Sequence, residues 1–379
     1  MTLYTDEHRI FQQSIRKFAE KEILPHVDAW EEGSHFPSEI FPKLGAAGFL
    51  GILLDEQWGG VARDYSFASA WCEEFGRIPS VGFTTGVNMH ALISAPALQR
   101  FGSPAAKEQF LGSACEGTAI GAYAFTEPGA GSDLTQVQTR AVRDGNDYVL
   151  NGSKIFITNG ARADFVLTLA KTDPTAGYDG FTTFVIDTKN SGFAVARTLS
   201  KLGWHSSDTA ELTFTDLRLS KEMVLGEVGK GWYQAMQSLE WERLMLTLAA
   251  VGGARACLEE TVRYVNERKI FKQTIGSIEV NRTELARLAS KLQAGEAFCH
   301  HCTRLLVEGR RARKEVSLAK RVVCQLAIEL ADYCLQLHGG YGYTTEFRPE
   351  RWLRDLRLNT IGGGANEVML KIAAGEVFR

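Results

Sequence analysis

Apolar residues recur at helical spacing from Glu7 to about Glu116, as in Ile10, Phe11, Ile15, Phe18 and Ala19, and again in Phe67, Ala68, Ala70, Trp71 and Phe75. This stretch reads as a run of helices. Its breaks carry turn chemistry: Pro42 and Gly51 punctuate it, Gln57-Trp58-Gly59-Gly60 predicts a tight loop, and Ser103-Pro104 offers an N-cap followed by a proline at the first helical position. Near Ala119 the period changes. Short runs rich in β-branched and aromatic residues follow: Tyr148-Val149-Leu150, Lys154 to Thr158, Phe165 to Leu169, Phe181 to Ile186, Phe193 to Thr198 and Ala210 to Leu217. Asp144-Gly145, Asn151-Gly152, Asn159-Gly160 and Ser191-Gly192 bound them as turn signals. Strands so closely spaced, with no helix between them, predict an antiparallel β-domain. From about Trp232 the helical period returns, with long segments over Trp232 to Arg268, Asn281 to Glu308 and Val316 to Leu337 and a shorter one after Ala365. Helices of such length pack as a bundle. The chain is therefore expected to be an α+β protein in three parts: a helical domain over 1–119, an antiparallel β-domain over 120–228 and a helical bundle over 229–379.

Composition narrows the partners. The 42 Lys plus Arg against 45 Asp plus Glu leave a net charge of −3, without the basic excess of a chain that neutralises many phosphates, so nucleic acid is not an expected partner. The N-terminal residues carry acids early and no apolar run behind a basic start. No stretch approaches the roughly 18 apolar residues of a membrane helix. The 7 cysteines are scattered and odd in number, which suits a reducing compartment. A cytoplasmic protein without a membrane span is expected.

The β-domain opens with Tyr123-Ala124-Phe125-Thr126-Glu127-Pro128-Gly129-Ala130-Gly131-Ser132-Asp133. Glycines and a serine just after a strand expose backbone N–H groups and a hydroxyl, which suit a carbonyl-rich ring or a phosphate. No helical pattern follows within a βαβ unit, so the dinucleotide-binding turn of a Rossmann fold fails its own context test. As a whole string, the segment resembles the signature of the acyl-CoA dehydrogenase family of flavoproteins. Asn151 through Gly160 is similar to the family's second flavin segment, and Lys201-Leu202-Gly203-Trp204 through Asp208-Thr209 to the loop after it. Glu267-Arg268-Lys269-Ile270-Phe271, Gln336 through Gly342 and Arg354-Asp355 follow in the family's order, so the resemblance spans essentially the whole chain. It implies an N-terminal α-helical domain, a middle β-sandwich or small barrel and a C-terminal four-helix bundle, with FAD lying between them.

The resemblance also assigns roles. Tyr123, Phe125, Thr126, Gly131 and Ser132 of the first segment, and Phe156 and Thr158 of the second, are expected to border the flavin, with Ser132 touching both FAD and the thioester ligand. An aromatic face and hydroxyls beside a planar polar ring are sensible chemistry there. The plainer alternative for Phe156 is a strand residue of the core. Arg268, Phe271, Gln336, Gly339 and Gly340 match the part that reaches the pyrophosphate and adenosine of FAD from a neighbouring subunit, and Glu367 matches the string of the isovaleryl-type enzymes. A guanidinium on a diphosphate makes good bidentate contacts. A shared cofactor implies an oligomer, here a homotetramer built as a dimer of dimers, passing electrons to an electron-transferring flavoprotein.

The catalytic base needs separate treatment. Many members carry it as Glu-Gly in the last loop before the final helix, where this chain reads Ile361-Gly362-Gly363-Gly364-Ala365-Asn366-Glu367. A branch that includes isovaleryl-CoA dehydrogenase and the long-chain enzymes places the glutamate on the first long helix of the bundle, and Leu239-Glu240-Trp241-Glu242-Arg243-Leu244 resembles its string. Helical geometry supports Glu242 independently. Steps of three and four from it reach Ala235, Ser238, Leu239, Met245, Leu246 and Ala249, a nearly apolar stripe on which desolvation raises a carboxylate's pKa. Glu240, about 200° round the helix, faces elsewhere and can pair with Arg243. Glu242 is thus expected to take the proton beside the thioester carbonyl of an acyl-CoA while a hydride leaves for the flavin, giving a trans-2-enoyl-CoA. The backbone N–H of Gly363 would stabilise the carbonyl oxygen. Arg243, Gly363 and Gly364 are expected beside the substrate, the glycines by removing side-chain bulk.

Three further features bear on this reading. Ala365 and Glu279 stand where the family usually has threonine and glutamine, and an anionic Glu279 near a diphosphate costs affinity unless a cation offsets it. Cys299-His300-His301-Cys302 suggests zinc at first sight, yet a structural site needs a second ligand pair and these four point different ways on a helix, so no metal site is expected. Two rival readings keep the fold: a flavin-dependent oxidase or monooxygenase acting on a non-CoA substrate, and a non-catalytic relative. The retained first flavin motif and Glu242 favour the dehydrogenase.

Overall fold

In the computed structural model, which describes residues 3–378, helix α1 (Asp6–Glu22) turns Ile15 and Ala19, one turn apart, into a core shared with α2 (Val27–Glu32), α3 (Ile40–Ala46), α4 (Tyr65–Phe75), α5 (Val81–Asn88) and the C-terminal helices, while α6 (Ala95–Phe101) and α7 (Pro104–Glu116) pack with the sheet in a second cluster. Trp71, Phe75, Phe36, Phe41 and Phe83 are among the largest fully buried members of the first. Ser103 caps α7 as expected, its Oγ accepting the Ala106 N–H at 3.1 Å ahead of Pro104. A wider π-helical turn, Met89–Ser94, joins α5 to α6. Such turns are costly and recur where a site needs a residue redirected.

The sheet contains β1 (Gly121–Ala124), β2 (Arg140–Asp144), β3 (Asp147–Thr158), β4 (Phe165–Lys171), β5 (Phe181–Asp187), β6 (Phe193–Thr198), β7 (Thr209–Ser220) and β8 (Val224–Leu225), in the order β6-β7-β3-β2-β4-β5-β8 with β1 beside β4. Its pairings are antiparallel except that β1 and β2 run parallel to β4. The long return from β1 to β4 makes this possible, because it carries the first motif and the whole β2–β3 hairpin. Asp144-Gly145 does form a turn, between β2 and β3. Asn151-Gly152 does not: it lies inside β3, where Asn151 exchanges two hydrogen bonds with Asp216 of β7, at 3.1 and 2.8 Å. The two expected runs on either side are one strand, bent by irregular register against β7 at Leu150/Gly152 and Lys154/Ile157.

The C-terminal part consists of α8 (Gly231–Glu267), a hairpin of β9 (Lys269–Ile270) and β10 (Gln273–Thr274), then α9 (Glu279–Val307), α10 (Arg313–His338), α11 (Pro349–Arg357) and α12 (Asn366–Val377). Helix α10 packs on α8, α9, α11 and α12. The polar helix α11 was not among the expected elements, since the charged Arg351 and Asp355 are buried along with Pro349, Trp352 and Leu356 and break up the apolar stripe. Asp355 joins the three parts of the molecule: it accepts the N–H of Trp204 at 2.6 Å and of Val81 at 3.1 Å. Burial, with Glu31 nearby, pushes its carboxyl up to about 7. All 7 cysteines are free and buried. Among the described residues no helix is long and apolar enough to cross a membrane.

Candidate active site

The two glycine-bearing segments meet. The Ile155 N–H donates to Thr126 O at 2.9 Å, and the Lys154 ammonium donates to Phe125 O at 3.1 Å and to Glu127 Oε1 at 2.8 Å. Glu127 also accepts the backbone N–H groups of Gln138 and Thr139. Burial pulls Lys154 down to about 8, while Lys154 and the hydrogen bonds together outweigh burial at Glu127 and hold its carboxyl below the usual range. Neither residue was among the expected site residues, yet Lys154 carried a signal: it takes a core-facing position along β3.

This buried pair fixes the strand just before Phe156. Phe156 has φ +62 and leaves its side chain 65% exposed, so it is not a core residue. A left-handed non-glycine backbone costs about 1–3 kcal/mol and persists where the surroundings impose it. On the same two segments, the hydroxyls of half-buried Thr126 and Thr158 and of exposed Ser132 have no partner among the described residues. Tyr123 and Phe125 stack at 4.2 Å, and Phe125 packs against Ala235 of α8. Gly131 and Ser132 are exposed. The hydrogen bonds from Thr135 and Gln136 lower the Asp133 carboxyl in this loop, and Glu367 is exposed in the first turn of α12.

Glu242 sits on α8 among buried Ala235, Met245, Leu246 and Ala249, and is itself half-buried. Its carboxylate makes no hydrogen bond to a described residue. Burial raises its pKa, with Arg243 and Lys320 opposing. Tyr123, whose hydroxyl burial holds above the usual tyrosine range, faces Ser238 and Glu242 from β1. Arg243 Nε donates to Gly363 O at 3.0 Å, and the fully buried Lys320 ammonium donates to Asn359 O at 2.9 Å and to Gly364 O at 2.8 Å. Gly363 and Gly364 adopt φ +64 and +107, conformations that a residue with a side chain holds only under strain. Glu240 does not pair with Arg243. Its Oε2 accepts the Ala312 N–H at 3.2 Å, at the start of α10, because Arg243 is turned inward to the glycine loop.

A second group of expected residues gathers elsewhere. Arg268 lies about 40 Å further along α8 than Glu242, at about 1.5 Å of rise per residue. Its guanidinium sits 5.4 Å from the Tyr341 ring. Phe271 is 91% exposed at the tip of the β9–β10 hairpin, with φ +46 followed by +67 at Lys272. Exposed Gln336 and the glycines 339 and 340 end α10, and a Cβ added to either glycine would meet no atom within 4 Å. One chain cannot bring both groups to a single small ligand unless that ligand is long or a second copy supplies one of them. Glu279 is exposed at the first residue of α9, and Ala365 leaves α12 without a side-chain cap.

The Cys299–Cys302 segment does not converge. Both cysteines are in the core, His301 points outward, and His300 Nε2 lies 2.8 Å from Glu73. Glu73, Glu296 and His300 bring donor atoms within 4.8 Å of one another, with Arg255 at 2.6 Å from Glu296 offsetting the charge.

The chain belongs to the acyl-CoA dehydrogenase family: residues 5–118, 122–217 and 229–378 match the acyl-CoA dehydrogenase N-terminal, middle and C-terminal domains. It is an enzyme of that oxidoreductase class, with the family's three-part α+β fold. Over 99% of this chain and 87% of the relative it is 38% identical to the mitochondrial long-chain specific acyl-CoA dehydrogenase of Sus scrofa. It is 35% identical to the mitochondrial isovaleryl-CoA dehydrogenase of Oryza sativa, over 100% of this chain and 92% of that one. The solved acyl-CoA dehydrogenase of Geobacillus kaustophilus superposes with a TM-score of 0.96 at 36% identity, covering 99% of this chain and 98% of the other.

Proposed function

We propose that this protein holds FAD and desaturates an acyl-CoA thioester to the trans-2-enoyl-CoA, with Glu242 as the base. The observation that carries this is a half-buried carboxylate without a hydrogen-bond donor, raised in pKa by an apolar stripe and set beside a loop of glycines. A carboxylate in that state accepts a proton more readily than an ordinary surface glutamate.

The residues present fit FAD: an exposed aromatic on a strained bulge and three hydroxyls without partners suit a planar, polar ring. Tyr123, Phe125, Thr126, Gly131, Ser132, Phe156 and Thr158 would border the ring, and Glu367 would reach it from α12. Arg268, Phe271, Gln336, Gly339 and Gly340 of a second copy would hold the diphosphate and adenosine. When bound, FAD supplies the acceptor for the hydride that leaves the carbon β to the thioester. Glu242 removes the α-proton, and the Gly363 N–H donates to the thioester oxygen as negative charge builds there. Gly362 leaves room for the acyl chain, whereas the side-chain space at Gly364 is filled by Met369 and Arg243, and Ser132 contacts the ligand. Arg243 acts by holding the loop.

On this reading the domains divide as 1–119, 120–228 and 229–379, and the assembly is a homotetramer that works in the cytoplasm and passes electrons to an electron-transferring flavoprotein. Long and branched acyl chains are the first substrates to test. Glu242→Gln keeps the side chain's shape and should retain bound flavin, while anaerobic bleaching by an acyl-CoA panel slows at least about 100-fold. Normal bleaching in that variant would remove Glu242 from its role.

A further inference from the structure

Lys320 is one of two fully buried lysines among the described residues, and the other, Lys154, is paired with Glu127. Lys320 has no carboxylate within ion-pair distance among the described residues. Its ammonium instead spans the glycine loop, donating to Asn359 O at 2.9 Å on one side and Gly364 O at 2.8 Å on the other. Arg243, also buried, takes the carbonyl between them, Gly363 O, at 3.0 Å. Three consecutive glycines have no side chains to anchor them and pay the largest entropy loss on ordering. Here two cations on two different helices do the anchoring, and the backbone torsions at Gly363, with φ +64, follow from it.

We propose that Lys320 is a positioning residue for the reaction: it fixes the loop from Asn359 to Gly364 so that the Gly363 N–H meets the thioester oxygen, and it stands as counter-charge to Glu242. This rests on the reading of Glu242 as base. A buried ammonium needs a compensating charge or a full set of acceptors, and Glu242 is the anion facing both Lys320 and Arg243. The titratable groups around Glu242 are Arg243 on its own helix, Lys320 on α10 and Tyr123 on β1; those around Lys320 are Arg243 and Glu242 on α8 and Cys324 on α10. A surface-like lysine at this position would have no such set of partners.

Two readouts on Lys320→Met and Lys320→Arg, made in the flavin-loaded enzyme, test this. Hydrogen exchange of the peptide covering 359–366 should quicken at least about 10-fold in Lys320→Met, the order expected when hydrogen bonds to a charged donor are lost, and stay near wild type in Lys320→Arg. The rate of anaerobic bleaching per bound flavin should fall about 30-fold in Lys320→Met. Its acid limb should move to higher pH, because the cation that favours ionised Glu242 is gone, and Lys320→Arg should return the limb to the wild-type position. Unchanged exchange, or an unmoved limb at a wild-type rate, overturns the proposal, as does an acid limb displaced equally by Lys320→Arg. Should Lys320→Met retain no flavin, Lys320→Gln, which also lacks the charge, is read in its place by the same criteria. Faster loop exchange in a protein that no acyl-CoA bleaches would uphold the tether and overturn the proposed function instead.

Discussion

At the scale of single residues, one signal was read at Glu242 and overlooked at Lys320. Both interrupt rows of buried apolar side chains, Val316, Val323 and Ala327 in the case of Lys320. What could not be read was the partner. The carbonyls that satisfy Lys320 come from a loop about 40 residues on, with no side chains to mark it. Glu127 and Lys154 were hidden for a related reason, since their pairing depends on β3 returning beside the first motif. The glycines of that loop can be probed directly. An added methyl at Gly363 would lie in ordinary contact, 3.6 Å from Lys320 Cε, whereas one at Gly364 would meet Met369 Cε at 2.6 Å and force φ +107 on a residue with a Cβ. Thermal unfolding should therefore show Gly364→Ala losing about 2–4 kcal/mol and Gly363→Ala about 1. Equal losses would mean that the loop yields to both.

At the scale of elements, period and turn chemistry revealed the long helices and most strands, because packing faces repeat along them. Asn151-Gly152 misled because its side chain bonds across the sheet to Asp216. Strain marks two elements that sequence pattern alone treated as ordinary. The β9–β10 hairpin turns through Phe271 and Lys272 at positive φ, where asparagine or glycine is the usual choice. Phe271→Asn should relax the turn yet weaken flavin retention, read as flavin released on dilution; unaltered retention would give Phe271 no part in the cofactor site. The π-helical turn holds His90, whose Nδ1 accepts the Gly121 N–H and whose Nε2–H donates to Ala114 O, each at 3.0 Å. Burial lowers its pKa to about 4. Between about pH 6.5 and 4 the unfolded chain takes up a proton there that the folded chain does not, so this site withdraws stability as pH falls, by up to about 3 kcal/mol. The thermal midpoint should drop across that window in the wild type and drop less in His90→Gln, and parallel curves would contradict the assignment.

At the scale of the whole molecule, the three parts are joined at Asp355 and at the meeting of α8 with the segment that begins at β1, which brings Tyr123 toward Ser238 and Glu242. Arg268, just past the end of α8, and the residues near it stand open to solvent, with Phe271 at 91% exposure. On the proposed function, a second copy would cover this face. Sedimentation of the flavin-loaded protein should give four chains, and a stable monomer that keeps flavin would contradict the shared site. The net charge of −3 is no obstacle to two phosphate-bearing ligands, because the cations that matter are few and placed. The central claim is that Glu242 takes the α-proton of an acyl-CoA thioester. Stopped-flow bleaching with substrate deuterated at the α-carbon addresses it most directly. Bleaching should be several-fold slower with the deuterated substrate in the wild type and at least about 100-fold slower with either substrate in Glu242→Gln; equal rates for both substrates in the wild type, or undiminished bleaching in the variant, would contradict that role for Glu242.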